Sequence, residues 1–271
     1  MTDDHALARD LAGQAGTRLL ELRAQGGDPD VLRKAGDRLS HEFLTAALAD
    51  LRPGDVALSE EGADNPARLD ARRVWIVDPL DGTREFGEPG RTDWAVHVAL
   101  WERAGDGTGE PPLAPGGTPP PSPPGDLIAG AVALPAQGTV LSTAEPPAQL
   151  PEDAASGRIR IVVSRSRPPS FVRDISGLIN AELVPLGSAG AKVAAVVCGE
   201  VDAYVHGGGF YEWDTAAPVA VARAAGFHAS RIDGSALAYN QADLLMPDIL
   251  VCRPAVAGVL LQAIREVTNA P

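Results

Sequence analysis

The chain has 271 residues, 45% of them hydrophobic and 22% charged, and a formal net charge of −13. That length and apolar content suffice for a sizeable core in one large or two modest domains, whereas the acidity repels polyanions and argues against nucleic acid or an anionic membrane surface as a partner. No apolar run approaches the roughly 18 residues of a membrane span, the opening MTDDHALARDL lacks a basic-then-apolar leader pattern, and the two cysteines, Cys198 and Cys252, sit in apolar runs that predict buried free thiols in a reducing cytoplasm.

Leu7, Leu11, Ala15, Leu19 and Leu22 recur every three or four residues and predict an opening helix; SHEFLTAALADL, from about Ser40 to Leu51, predicts a second. VALSEE and VWIVD are short β-branched runs that stop at carboxylates, and WAVHVALW and LIAGAVALP read as further strands. Between these last two lies 105–125, in which 14 of 21 residues are Gly or Pro. Such a segment suits neither a ladder nor a helix and reads as a loop inserted between strands, with a proline-rich docking segment as the alternative. The second half alternates strand and helix: IRIVVS, PSFVRDISGLIN, ELVPLG, AGAKVAAVVCG, DAYVH, DTAAPVAVARAAG, DILVC and PAVAGVLLQAIREVT. The pattern is α/β, with helices covering sheets.

The most informative segment is Asp78-Pro79-Leu80-Asp81-Gly82-Thr83, directly after the apolar VWIV. Pro79 donates no hydrogen bond and Gly82 permits a tight bend, so the chain must turn there. Two carboxylates three residues apart across a turn can converge on one point, and converging carboxylates repel unless a cation lies between them. An all-oxygen donor set without cysteine or histidine favours Mg²⁺ over zinc. Backbone N–H groups of Gly82 and Thr83 at a helix start would face an anion. Glu60-Glu61, ending VALS, and Asp214, opening a helix after Trp213, are further acidic groups at strand ends and helix starts, where α/β sheets gather ligands. Taken singly, each of these is an ordinary surface pair, turn former or N-cap.

The order Glu60-Glu61, then Asp78 to Thr83, then Trp213-Asp214-Thr215-Ala216 resembles the inositol monophosphatase superfamily of metal-dependent, lithium-sensitive phosphatases. The resemblance runs through nearly the whole chain. It implies an α/β layered sandwich of alternating α-β-α-β-α layers, split into a first subdomain over 1–150 and a second over 151–271. It also implies that Glu60, Asp78, Asp81, Asp214 and the Leu80 carbonyl ligate two or three Mg²⁺ ions, which Mn²⁺ can replace and Li⁺ opposes. Asp37 would stand near a third ion, although Lys34 occupies the place where the family has threonine. Glu60 with Thr83 would activate water, Gly82 and Thr83 would hold the phosphate, and Glu61 would stand behind the metal ligands. A homodimer is a further implication.

Local strings are similar to the CysQ-type branch, which acts on 3′-phosphoadenosine 5′-phosphate. These are Arg84-Glu85-Phe86, Ser164-Arg165-Ser166-Arg167, Gly187 to Lys192, and Glu212 before Trp213-Asp214. The second phosphate of that substrate needs its own cations, for which Arg165, Arg167 and Lys192 are candidates; Arg84, Ser164 and Glu212 join them as substrate contacts, and Tyr211 could stack on a base. Inositol monophosphate or fructose 1,6-bisphosphate at the same site, or a catalytically silent phosphate- or nucleotide-binding regulator, are the competing readings.

Overall fold

The computed structural model describes residues 3–104, 125–148, 157–166 and 168–268. Asp3 opens α1 (Asp4–Ala24) by accepting the Ala6 N–H, and Asp28 opens α2 (Pro29–Leu51) by accepting those of Asp30 and Val31. Pro29 at the first helical position costs no hydrogen bond and presets the backbone. The second helix therefore starts at its cap, well before the Ser40 that apolar spacing marks.

Two mixed sheets follow. The first runs β1 (Val56–Ser59), β2 (Arg73–Asp81), β3 (Ala95–Arg103), β4 (Gly125–Leu134) and β5 (Thr139–Ser142), in that spatial order. Its β1–β2 pair is parallel and the rest are antiparallel. After α3 (Thr83–Gly87), the second sheet is built from β6 (Arg160–Ser164), β7 (Glu182–Leu186), β8 (Ala203–His206), β10 (His228–Ser230) and β12 (Ile249–Cys252), in the order β10-β12-β8-β6-β7. The remaining helices are α4 (Ser170–Leu178), α5 (Ala189–Val197), α6 (Glu212–Ala224) and α7 (Pro254–Thr268), and β9 (Phe210–Tyr211) pairs with β11 (Leu245–Met246) in a small ribbon.

Alternation along the strands sorts the core into three bands. Trp75, Val77, Val96, Val98 and Leu100 pack against Leu11, Leu19 and Leu44 of α1 and α2. Val74, Ile76, Ala95, Ala99 and Trp101 point the other way, toward α5, α6 and the near face of the second sheet. That sheet's far face, with Ile161, Val205 and Leu250, buries Val172, Ile175 and Leu260 of α4 and α7. The layers are α-β-α-β-α, the fold class expected. Of the Gly/Pro insertion expected at 105–125, residues 105–124 lie outside the described residues, as does the subdomain border near 150, and Gly125 is already the first residue of β4. The short β5, β9, β10 and β11 and the one-turn α3 carry too few apolar residues to declare a period. Cys252 is buried as expected, but Cys198 caps α5 and is exposed, because the helix ends as it reaches the surface.

Helix α6 presses closely on the first sheet. A Cβ on Gly130 of β4 would lie 2.7 Å from Ala220 Cβ and 3.3 Å from the Ala217 carbonyl. Glycine facing alanines lets sheet and helix touch along their backbones. Gly130→Val overpacks this seam and is expected to lower stability by roughly 1–3 kcal/mol, read as a lower urea midpoint with an unchanged slope; a wild-type midpoint would refute the close approach.

Candidate active site

Alternation on β2 and β3 places one polar side chain from each on the inner face, where hydrocarbon is otherwise the rule. Asp78 and His97 are cross-strand partners, and both are buried. The pairing register then shifts between Asp78 and Asp81, a local irregularity that re-aims the chain. The Asp78 carboxylate accepts the Leu80 N–H at 3.0 Å, which tightens the turn. Gly82 closes it at φ +83°, where a Cβ would lie 3.1 Å from both the Asp93 carbonyl and Ser188 Cβ, so both backbone angle and space require glycine.

Thr83 starts α3. Its hydroxyl lies 2.9 Å from the Leu80 carbonyl, to which it donates, and 3.3 Å from Asp37 Oδ1. Asp37 can come so near because Gly36 lies before it: a Cβ there would stand 2.9 Å from both Leu80 and Phe86 side-chain atoms. Lys34, one turn earlier, is exposed.

The second half of the chain contributes the start of α6. Asp214 lies in its first turn and accepts the Tyr211 N–H at 2.6 Å. Asp78, Asp81 and Asp214 each present an oxygen within 4.8 Å of the others. Glu60, just past β1, shares a hydrogen bond with the Asp78 carboxyl and keeps its outer side open to solvent.

Asp81 is held differently from the rest. Its Oδ2 accepts the Ser188 hydroxyl at 2.5 Å and the Gly190 N–H at 2.6 Å. His97 Nε2 lies 3.2 Å from the same oxygen, off the line of a good hydrogen bond. His97 Nδ1 is 3.1 Å from the Trp213 carbonyl; a carbonyl only accepts, so Nδ1 carries a proton. With Oδ2 so engaged, Oδ1 is the oxygen left for a cation.

The electrostatics divide accordingly. Burial alone would raise Asp81, but His97, Lys192 and Ser188 outweigh it and hold its pKa at about 2. Burial works against a charged His97, yet Asp81 and the Trp213 carbonyl raise its pKa. The other carboxyls have less help: the Tyr211 N–H, His97 and Lys192 act on Asp214 and Thr83 acts on Asp37, but burial and neighbouring negative charge prevail. Crowding by protein and the charges of Asp214 and Asp81 push Glu60 to about 7. Burial, then Glu60, Asp81 and Asp214, lift Asp78 well above the carboxylate range. Burial and Asp81 lift Asp214 to about 6, and burial and Glu61 lift Asp37 to about 6. These groups cannot all ionise without a compensating cation. The donors are carboxylate oxygens, so the set fits a hard divalent ion such as Mg²⁺.

The expected substrate contacts fare unevenly. Ser164 ends β6 opposite Leu186. Tyr211 is exposed and stacks on Trp213, with ring centroids 4.8 Å apart. Arg84 is largely exposed and lies 3.3 Å from Glu88. Arg165 is committed to Glu85 at 2.6 Å and to Glu88 at 3.0 Å, so its charge is already matched. Lys192 is buried and donates to the Gly187 and Ser188 carbonyls, with its charge acting on Asp81 and Asp214. Glu212 is also turned inward: its two oxygens accept the Asn240 and Gln241 N–H groups at 2.6 and 2.7 Å, so it anchors a loop. Arg167 lies outside the described residues. Sequence reasoning missed His97 and Ser188. The signal for His97 was a lone polar residue at even spacing from Ala95 and Ala99; nothing local marks Ser188 as a partner of Asp81.

The sequence model of the inositol monophosphatase family matches residues 6–269. The 3′-phosphoadenosine 5′-phosphate phosphatase of Mycobacterium leprae (strain TN) is 49% identical over 97% of this chain and 94% of that protein. The 3′(2′),5′-bisphosphate nucleotidase CysQ of Escherichia coli (strain K12) is 30% identical over 85% of this chain and 91% of its own. Among solved structures, CysQ from Bacteroides thetaiotaomicron superposes with a TM-score of 0.70 at 26% identity, covering 92% of this chain and 97% of that one. Inositol monophosphatase II from Staphylococcus aureus MSSA476 superposes at 0.74 with 20% identity, covering 97% and 93%. With the family match spanning residues 6–269 and the same fold in the solved structures, this chain belongs to the inositol monophosphatase family.

Proposed function

We propose that this chain is a magnesium-dependent phosphatase that hydrolyses the 3′-phosphate of 3′-phosphoadenosine 5′-phosphate to AMP and phosphate, serving sulfur assimilation in the cytoplasm. The observation that carries the chemistry is the convergence of Asp78, Asp81 and Asp214, from both halves of the chain, on one point. The substrate rests on the 49% identical relative of that name.

Glu60, Asp78, Asp81, Asp214 and the Leu80 carbonyl would hold two Mg²⁺ ions, or Mn²⁺ in their place, with Asp37 beside a third. Such ions, when bound, neutralise phosphate oxygens and acidify water. The protein's own groups do the rest. Thr83, fixed between the Leu80 carbonyl and Asp37, would orient the attacking water together with Glu60, which would take up its proton. The Gly82 and Thr83 N–H groups would hold the phosphate. The water oxygen bonds to phosphorus in line, the bond to the ribose 3′-oxygen breaks, and that oxygen leaves with a proton from solvent. Ser188, Gly190 and His97 keep Asp81 ionised and fixed throughout. Inhibition by Li⁺ and a homodimeric assembly belong to the same reading.

Phosphate release from phosphoadenosine phosphate should exceed that from inositol 1-phosphate and fructose 1,6-bisphosphate by at least about tenfold in kcat/KM, roughly 1.4 kcal/mol of transition-state preference. It should vanish in EDTA; a sugar phosphate winning would retain the metal site and overturn the substrate.

Asp81→Asn should lower kcat by more than about 100-fold, beyond the 10–100-fold usual for outer-shell changes, with unaltered circular dichroism. An active variant would remove Asp81 from the cage.

The metal-free protein should also respond to pH in a defined direction. Glu60 rises from 4.5 to about 7 on folding and Asp214 from 3.8 to about 6. A raised carboxyl stabilises the fold below its unfolded value and loses that contribution as pH climbs through the folded one. In EDTA, Tm should therefore fall between pH 5 and 8, and Mg²⁺ should restore more of it at pH 8 than at pH 5. A Tm in EDTA that is flat or rising over that range contradicts the assignment.

A further inference from the structure

Two guanidinium groups from opposite halves of the chain meet on one carboxylate beside the phosphate-holding turn. Arg165, just past β6, places Nη1 3.0 Å from Glu88 Oε2 and Nη2 3.0 Å from Oε1. This two-pronged contact is the one a guanidinium makes with a carboxylate or a phosphate alike. Arg84, the residue after Thr83, brings Nε to 3.3 Å from the same Oε1. Glu85 accepts Arg165 Nη2 at 2.6 Å, which aims the guanidinium, and Arg165 Nε is buried without an acceptor among the described residues.

The two acidic partners are not equivalent. Glu85 is buried in α3 with Gly187 packed directly over its side chain, where any Cβ would collide with the carboxyl, so it cannot leave. Glu88 caps α3 with extended backbone and is 31% exposed. It can swing into solvent. Among these four groups the charges cancel with both acids in place; with Glu88 withdrawn, the two guanidinium groups exceed Glu85 by one positive charge. Lys192 and Arg23, also on this flank, are spent on backbone carbonyls, Lys192 on those of Gly187 and Ser188 and Arg23 on those of Glu88 and Arg91.

We propose that Glu88 occupies an anion subsite: its carboxylate stands in for the substrate's second phosphate, keeping Arg84 and Arg165 converged until a phosphate displaces it. Glu88 thereby sets how strongly doubly phosphorylated substrates are favoured over singly phosphorylated ones. The substrate named here rests on the proposed function; the subsite itself rests on the Arg84–Glu88–Arg165 geometry.

The test compares phosphoadenosine phosphate with adenosine 3′-phosphate, which has the same base, sugar and scissile group but no 5′-phosphate. In Glu88→Gln and Glu88→Ala, the ratio of their kcat/KM values should shift toward the bisphosphate by roughly threefold to tenfold, the scale of one partly exposed ion pair. Arg165→Met should shift it the other way. A ratio that stays constant or falls in the Glu88 variants overturns the proposal, since a purely structural latch would alter both substrates alike. If the wild-type protein hydrolyses neither nucleotide, the substrate reading fails on its own. The subsite is then read by calorimetry with AMP and adenosine: tighter AMP binding by Glu88→Gln, with the adenosine signal as reference, supports it, and equal AMP binding overturns it.

Discussion

Mutual repulsion among the carboxylates of Glu60, Asp78, Asp81 and Asp214 governs this structure. Gathering acidic groups in a protein interior is unfavourable unless positive charge or a proton comes with them. The chain meets that demand at a single position. Ser188, Gly190 and His97 all address Oδ2 of Asp81, and this one carboxyl stays fully ionised. Glu60, Asp78 and Asp214 have fewer donors, and burial and mutual repulsion raise their pKa values. Protein donors thus fix one corner of the cluster, and the deficit at the others is one that a divalent cation would make good.

Much of the fold supports this arrangement. Asp78 and His97 reach the interior because strand alternation sends them there, among Ile76, Ala95 and Ala99. Asp214 arrives from the second half because α6 lies against β4 through glycine and alanine, with no side chain to hold it away. The start of α6 is also moored from behind. Glu212 binds the backbone at 240–241, Asn240 exchanges hydrogen bonds with Arg68, and Arg68 pairs with Asp64 in the loop after Glu60-Glu61. Two acidic segments distant in sequence are thereby tied to one another by a polar chain that is buried at Glu212, Asn240 and Arg68 and reaches solvent at Asp64.

The acidic segment was legible because its chemistry is local, although β2 carries on through Pro79 and Leu80 to Asp81 with a shift in register, and the chain turns only at Gly82. The layered α/β class was legible because most helices and strands are long enough to show a period. What the sequence hid is long-range. Arg165 reads as a free cation beside a serine, yet its partners, Glu85 and Glu88, belong to α3 in the other half. Glu212 reads as an accessory to the Trp-Asp motif, but a loop nearly thirty residues on, in which Asn240 adopts φ +57°, turns it inward. His97 is masked by the strand that carries it, since one polar residue barely disturbs an apolar run.

The placement of the tryptophans has an optical consequence. Trp75, Trp94 and Trp101 are sealed in the interior, 0–1% exposed, whereas Trp213 is partly open, stacked on Tyr211 and adjacent in sequence to Asp214. Solvent quenchers therefore reach one indole among the four, and it is the one whose carbonyl His97 holds. The quencher-accessible part of the intrinsic emission is thus a single-site reporter at the acidic cluster, while the three sealed indoles supply the unquenched remainder.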